Sequence, residues 1–183
     1  MFKNWHQSGK IKRRQRQYQG RVFAVDQLQI DTPDGLTVER DLIHTDPTIT
    51  ILAVTPDNQV ALTSEYRVGI NADSVSLPAG IINQGESPED AAKREFKEET
   101  GFIADSATVM TTITSSEGFM DQTAALMLLK FDPQNKTETH FDADEYVNVQ
   151  LVSLNEVLQF LKQGKINTAQ ALAAVGYYQL FIA

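Results

Sequence analysis

The residues best suited to chemistry lie in one stretch, Gly80 to Phe102. It reads Gly80, five residues, Glu86, seven residues, then Arg94-Glu95-Phe96-Lys97-Glu98-Glu99-Thr100-Gly101-Phe102. On a helix, Glu95 and Glu99 stand four residues apart and Glu98 three from Glu95, so the three carboxylates project from one side. Ala91, Ala92 and Phe96 are the apolar positions of the same segment and can pack inward. Grouped carboxylates are hard oxygen ligands, suited to Mg²⁺ or Mn²⁺ and poorly suited to softer metals. Arg94 can pair with one carboxylate and hold its orientation. Taken alone, Glu-Phe-Lys-Glu-Glu reads as a solvated acidic helix face. The complete spacing argues otherwise. Gly80, Glu86, Arg94, Glu95, Glu98, Glu99 and Gly101 together are a coincidence on the order of one in a million at average residue frequencies.

The helix that must carry these acids has its own start and stop signals. Ser87-Pro88-Glu89-Asp90 supplies a capping serine, a proline in the first turn and an acid at the third position. Gly101 can take the left-handed conformation that closes a helix. Ser153-Leu154-Asn155-Glu156 is a capping box opening a second helix to about Gln163, and Asn167-Thr168-Ala169-Gln170 opens a third. Strands are expected from Arg21 to Ile30, from Leu36 to Leu42 after a Thr32-Pro33-Asp34-Gly35 turn, and over Thr48–Thr55 and Gln59–Arg67. Further strands are expected near residues 105–113, 123–131 and 145–152. Mixed strands and helices of this kind argue for an α+β fold or an α-β-α sandwich.

Composition sets the outer limits. The chain has 183 residues, 42% hydrophobic and 22% charged, the range of one ordinary globular domain. It has no cysteine, which excludes disulfides, thiolate zinc sites and cysteine nucleophiles. The longest apolar run, Ala124 to Leu129, is too short for a membrane span, and the basic N-terminus lacks the apolar core of a secretory signal. A cytoplasmic protein is expected. Charge is uneven: residues 1–25 carry seven Lys/Arg and no acid, whereas the rest carries nine Lys/Arg against 24 Asp/Glu. An acidic body is a poor general partner for nucleic acid and must handle phosphates through metal ions. The basic residues Lys10, Lys12, Arg13, Arg14 and Arg16 are read as an arm that is solvated or packs on its own acidic body.

The spacing from Gly80 to Phe102 resembles the Nudix hydrolase signature, G-x5-E-x7-R-E-U-x-E-E-x-G-U, with the usually aliphatic U positions occupied here by Phe96 and Phe102. The resemblance implies a Nudix α-β-α sandwich and metal-dependent hydrolysis of a nucleoside diphosphate linked to another group. It implies Glu95 and Glu99 as metal ligands with the Ala79 carbonyl, Glu98 and Arg94 as supporting catalytic residues, and Gly80, Glu86 and Gly101 as structural. Ser64-Glu65-Tyr66-Arg67, Ser76-Leu77-Pro78-Ala79-Gly80, Gly20-Arg21-Val22-Phe23, Arg40, His44 and Gly164-Lys165-Ile166-Asn167 are similar to the ADP-ribose pyrophosphatase and nucleotide-sugar hydrolase branch.

That branch implies Arg40 and Arg67 as substrate contacts. It also implies an acid before the last strand as metal ligand and base, Glu145 here with Asp144 in reserve. Its specificity loop corresponds to Ser115-Ser116-Glu117-Gly118-Phe119-Met120-Asp121-Gln122, where Ser116, Glu117 and Gly118 are expected to meet substrate. Glu117 stands where the branch usually has proline and Ser76 where it usually has glutamate, so the broader class, nucleoside diphosphate sugars, is the expected substrate. The alternatives are another Nudix substrate (a nucleoside triphosphate, a dinucleotide or an RNA cap) and a non-catalytic ADP-ribose sensor. The implied organisation is an arm over 1–19, an N-terminal antiparallel β segment over 20–47 that builds a homodimer, and the hydrolase domain over 48–183. No membrane partner is expected.

Overall fold

A computed structural model describes residues 9–139 and 146–183. Asp144 and Glu145 lie outside the described residues. The chain divides into two compact units, Met1–Asp46 with Thr114–Gln122, and Pro47–Ile113 with Thr123–Ala183.

The first unit is a three-stranded antiparallel sheet of β1 (Lys10–Gln19), β2 (Phe23–Asp31) and β3 (Thr37–Thr45), in that order. The expected turn joins β2 to β3. Gly35 sits at φ +86, a conformation open to glycine, and its N–H donates to the Thr32 carbonyl at 3.0 Å. The basic segment, expected as an arm that is solvated or packs on its own acidic body, forms a full strand over residues 10–19 whose bases pair with acids of β2. Lys12 reaches Asp31 at 2.8 Å, and Arg14 and Arg16 converge on Asp26, a carboxylate only 1% exposed. Hydrogen bonds from Arg16 and Arg14 hold the Asp26 carboxyl below the usual carboxylate range, against the opposing effect of burial. The strand was hidden because its stabilising pattern is cross-strand charge pairing rather than apolar alternation. Register shifts at Ile11/Arg13 and Arg16/Tyr18 also interrupt its two-residue period.

The second unit contains β4 (Thr48–Val54), β5 (Gln59–Arg67), β6 (Ala72–Ser76), β7 (Ala79–Ile81), α1 (Pro88–Thr100), β8 (Phe102–Thr114), β9 (Thr123–Lys136), β10 (Asn148–Ser153), α2 (Leu154–Lys162) and α3 (Ala169–Phe181). The sheet runs β10-β5-β4-β9-β8, with β6 paired to β5 and β7 to β4. Neither short strand is expected from the sequence. β4 lies parallel to β9 and antiparallel to β7.

The run Ile51–Val54 is apolar without alternation because both faces of β4 are covered. Ile49, Ile51 and Ala53 share a core with Ala91, Ala92 and Phe96 of α1. Leu52 and Val54 face Val157 of α2 and Ala171, Ala174 and Val175 of α3. β9 divides the same way, Ala125, Met127, Leu129 and Phe131 toward α1 and Leu126 toward the other two helices. Each fully buried large side chain contributes about 1.5–3 kcal/mol. The unit is the expected α-β-α sandwich.

Candidate active site

α1 is built as its sequence dictates. Ser87 caps it, accepting the Asp90 N–H at 3.1 Å, and Pro88 occupies the first turn. Gly101 closes it at φ +71, donating to the Lys97 carbonyl at 2.9 Å. The two aromatic signature positions seat it. Phe96 meets the Phe131 ring edge-on at a centroid distance of 5.0 Å, and Phe102 lies 5.0 Å from the same ring. This aromatic triangle fixes the rotation of α1 and therefore the direction of its polar face.

Arg94 organises that face. Its Nε and Nη2 fork the Glu86 carboxylate, each at 2.9 Å. Its Nη1 donates to Glu95 at 2.8 Å and to Glu98 at 3.1 Å, and Nη2 also donates to the Ile81 carbonyl at 3.0 Å. All five guanidinium donors are thereby used, which a lysine could not reproduce. Glu86 is further held by the Asn83 N–H at 3.0 Å. Hydrogen bonding from Arg94 brings the Glu86 pKa down to about 2. Glu95 behaves oppositely: burial pushes its carboxyl up, against the pull of Arg94, and the charge on Glu98 adds to the rise.

Gly80 and Ala79 lie on β7, paired with Ile49 and Thr50 of the central strand β4. A Cβ at Gly80 would fall 2.1 Å from the Glu95 carboxyl carbon. The space glycine leaves is therefore filled by the Glu95 carboxylate, lying against the β7 backbone. Glu99 is the most buried of the box acids, 7% exposed.

Three carboxylates (Glu86, Glu95 and Glu98) converge on the one Arg94 guanidinium, and Glu99 stands one helical turn past Glu95, hard oxygen donors that suit a divalent cation. Among the described residues, no three acidic or histidine side chains already close into a ligand set. Arg94 draws Glu95 and Glu98 toward itself. The donor set and the cradle at Gly80 nonetheless fit a hard divalent cation.

The remaining candidates have partners of their own. Arg67 pairs with Glu65 and is half exposed, and Arg40 is exposed, donating to the Glu39 carbonyl at 2.8 Å. Ser116, Glu117 and Gly118 form a turn in which the Ser116 carbonyl accepts the Phe119 and Met120 N–H groups at 3.0 and 2.9 Å. Sequence reasoning missed the Ile81 carbonyl and the Asn83 N–H, since backbone groups leave no side-chain signal. The Asn-x-x-Glu spacing of Asn83 and Glu86, akin to a capping box, is the one sequence signal that could have found the second.

The NUDIX domain family model matches residues 44–174, most of the chain. The chain belongs to the Nudix family. As a Nudix protein it is a pyrophosphohydrolase, acting on phosphorus-containing anhydrides. Over 163 residues it is 29% identical to the methanol dehydrogenase activator of Bacillus methanolicus and 28% identical to the ADP-ribose pyrophosphatase of Bacillus subtilis. Each match covers 89% of this chain and 88% of the relative. Among solved structures, the crystal structure of an ADP compounds hydrolase superposes with a TM-score of 0.85. It covers 97% of this chain and 95% of that one at 21% identity, a likeness of fold. Among the described residues, no helix of this Nudix chain is long and apolar enough to cross a membrane.

Proposed function

We propose that this Nudix chain hydrolyses the pyrophosphate bond of nucleoside diphosphate sugars, ADP-ribose among them, releasing a nucleoside monophosphate and a sugar phosphate. The observation that carries the reading is the carboxylate face assembled around Arg94, on a chain that aligns over 89% of its length with an ADP-ribose pyrophosphatase. Glu95, Glu99 and the Ala79 carbonyl would hold Mg²⁺, with Mn²⁺ able to replace it. A bound divalent cation neutralises pyrophosphate charge and makes water a better nucleophile at neutral pH. Arg94 fixes the Glu95 and Glu98 carboxylates, and Glu86 fixes Arg94. Glu145 is assigned as a further ligand and as the residue that takes the water proton, with Asp144 next in line. Arg40, Arg67, Ser116, Glu117 and Gly118 are assigned to substrate, where guanidinium forks suit diphosphate oxygens.

We further propose a homodimer built on the three-stranded sheet. Ile11, Tyr18, Val22 and Leu36 in this unit are all more than half exposed, apolar surface that a twofold contact would cover.

The test is a panel of nucleotide sugars, dinucleotides, capped RNA and nucleoside triphosphates with Mg²⁺, reading phosphate-containing products. Preferred turnover of nucleotide sugars supports the reading, and preference for any other class replaces it. Binding of ADP-ribose without turnover would make the chain a sensor instead. The likeness to a methanol dehydrogenase activator favours one second reading, stimulation of a dehydrogenase. Adding the chain, or its Glu95→Gln variant, to an alcohol dehydrogenase assay decides whether that effect exists and needs hydrolysis.

A further inference from the structure

The turn that holds Ser116, Glu117 and Gly118 does not stand by itself. Ile43 of β3 donates its N–H to the Phe119 carbonyl at 2.8 Å, and the Asp121 N–H donates to the Ile43 carbonyl at 3.2 Å. Ile43 and Met120 thus form a parallel bridge, a one-residue extension of the sheet. The Asp121 side chain completes the attachment with both oxygens. Its Oδ1 accepts the Thr45 N–H at 3.2 Å, and its Oδ2 lies 2.7 Å from His44 Nδ1.

One aspartate therefore joins two consecutive residues of β3 to a turn more than seventy positions later in the chain. An ionised carboxylate accepts from both partners at once, and such bonds are stronger than neutral ones. The turn it anchors presents an exposed acid, Glu117, and a half-exposed ring, Phe119. On a free loop these two side chains would sample many directions. On a turn attached by main-chain and carboxylate bonds, their directions are set before any ligand arrives, which lowers the ordering cost of binding.

We propose that Asp121 is a positioning residue for substrate recognition, pinning the Ser116–Met120 turn to β3 through His44 and the Thr45 N–H. The proposal rests on the reading that this turn meets the nucleotide-sugar substrate. It assigns Asp121 no contact with the reacting atoms.

Two measurements on the full chain test it. The first is hydrogen exchange of the Phe119, Met120 and Asp121 amides without substrate, and the second is KM and kcat for the best substrate of the panel. Asp121→Ala should speed exchange at those amides at least tenfold. It should raise KM at least tenfold, with kcat within about threefold of wild type. Asp121→Asn keeps an oxygen for the Thr45 N–H and a polar partner for His44, and should restore both properties to within about threefold. His44→Gln should give a smaller rise in KM, and it keeps the test open if Asp121→Ala does not fold.

Unchanged exchange in Asp121→Ala overturns the pinning. Faster exchange with unchanged KM, or a loss confined to kcat, overturns the role in recognition. Failure of the asparagine to rescue also overturns the account, as does an unchanged KM in His44→Gln when Asp121→Ala cannot be folded. If nucleotide sugars are not hydrolysed, that substrate reading fails by itself. Asp121 is then judged by exchange and by KM for the panel member that is hydrolysed.

Discussion

Replacing Gly80 by alanine separates catalysis from folding. The backbone there is an ordinary part of β7, without positive φ, so alanine meets no conformational barrier. The obstacle is the Glu95 side chain, whose carboxyl carbon would lie 2.1 Å and Cγ 2.4 Å from the new methyl. To reach ordinary contact the carboxyl must retreat by about 1.3 Å, a displacement of the size that costs on the order of a hundredfold in rate at a catalytic centre. Folding suffers less, because the displaced group is the far end of a flexible side chain. Part of one charge-assisted bond to Arg94 and a rotamer change amount to about 1–3 kcal/mol. The assay is kcat at saturating ADP-ribose and Mg²⁺ beside urea unfolding of the same samples. In a Glu95→Gln background the added methyl should cost less than about threefold more, since both changes disable one ligand. A Gly80→Ala enzyme with kcat within threefold of wild type would refute the reasoning, as would independent losses in the double variant.

Glu95→Gln and Glu99→Gln should each lower the metal-dependent rate at least about a hundredfold with the fold retained by circular dichroism; near-normal turnover in either removes that residue from the ligand set. Glu145→Gln should reduce kcat more than it changes KM, and a large kcat loss in Asp144→Asn instead would move the base by one residue. Glu86, held down to about 2 by Arg94, stabilises the fold above its ordinary value of 4.5 and loses that contribution as pH falls from 4.5 toward 2. Glu86→Gln should therefore cost about 1–3 kcal/mol at pH 7, and urea titrations should show the gap to wild type closing in acid; a gap constant with pH would place the effect elsewhere. Sedimentation should give a dimer, and mixed Arg40→Ala and Glu99→Gln subunits should recover activity if Arg40 serves the partner's site. A single 183-residue species, or no recovery despite subunit exchange, would count against those two claims respectively.

Much of this protein is decided locally, and that part was legible in its residues. Ser87, Pro88 and Gly101 delimit α1 because caps act on backbone groups only a few residues away. The 3.6-residue period places Glu95, Glu98 and Glu99 along one side of it, with Glu99 nearest the buried stripe of Phe96. The apolar run of β4 announces a strand buried on both faces, which requires helices above and below. Features that join distant residues left no comparable trace. β1 exists because Arg14, Arg16 and Lys12 meet the acids of β2, and a run of bases reads the same whether it faces water or a carboxylate. The Glu95 carboxylate fills the space at Gly80 only after β7 has paired with β4. His44 finds Asp121 only when β3 and the Ser116–Met120 turn are brought side by side. Sequence by itself thus determined the family spacing, the box carboxylates and the helix that carries them, because periodicity and capping are short-range. The tertiary structure alone decided how five donors of one arginine divide among three carboxylates and a carbonyl, because that division depends on distances set by the packed sheet and helix.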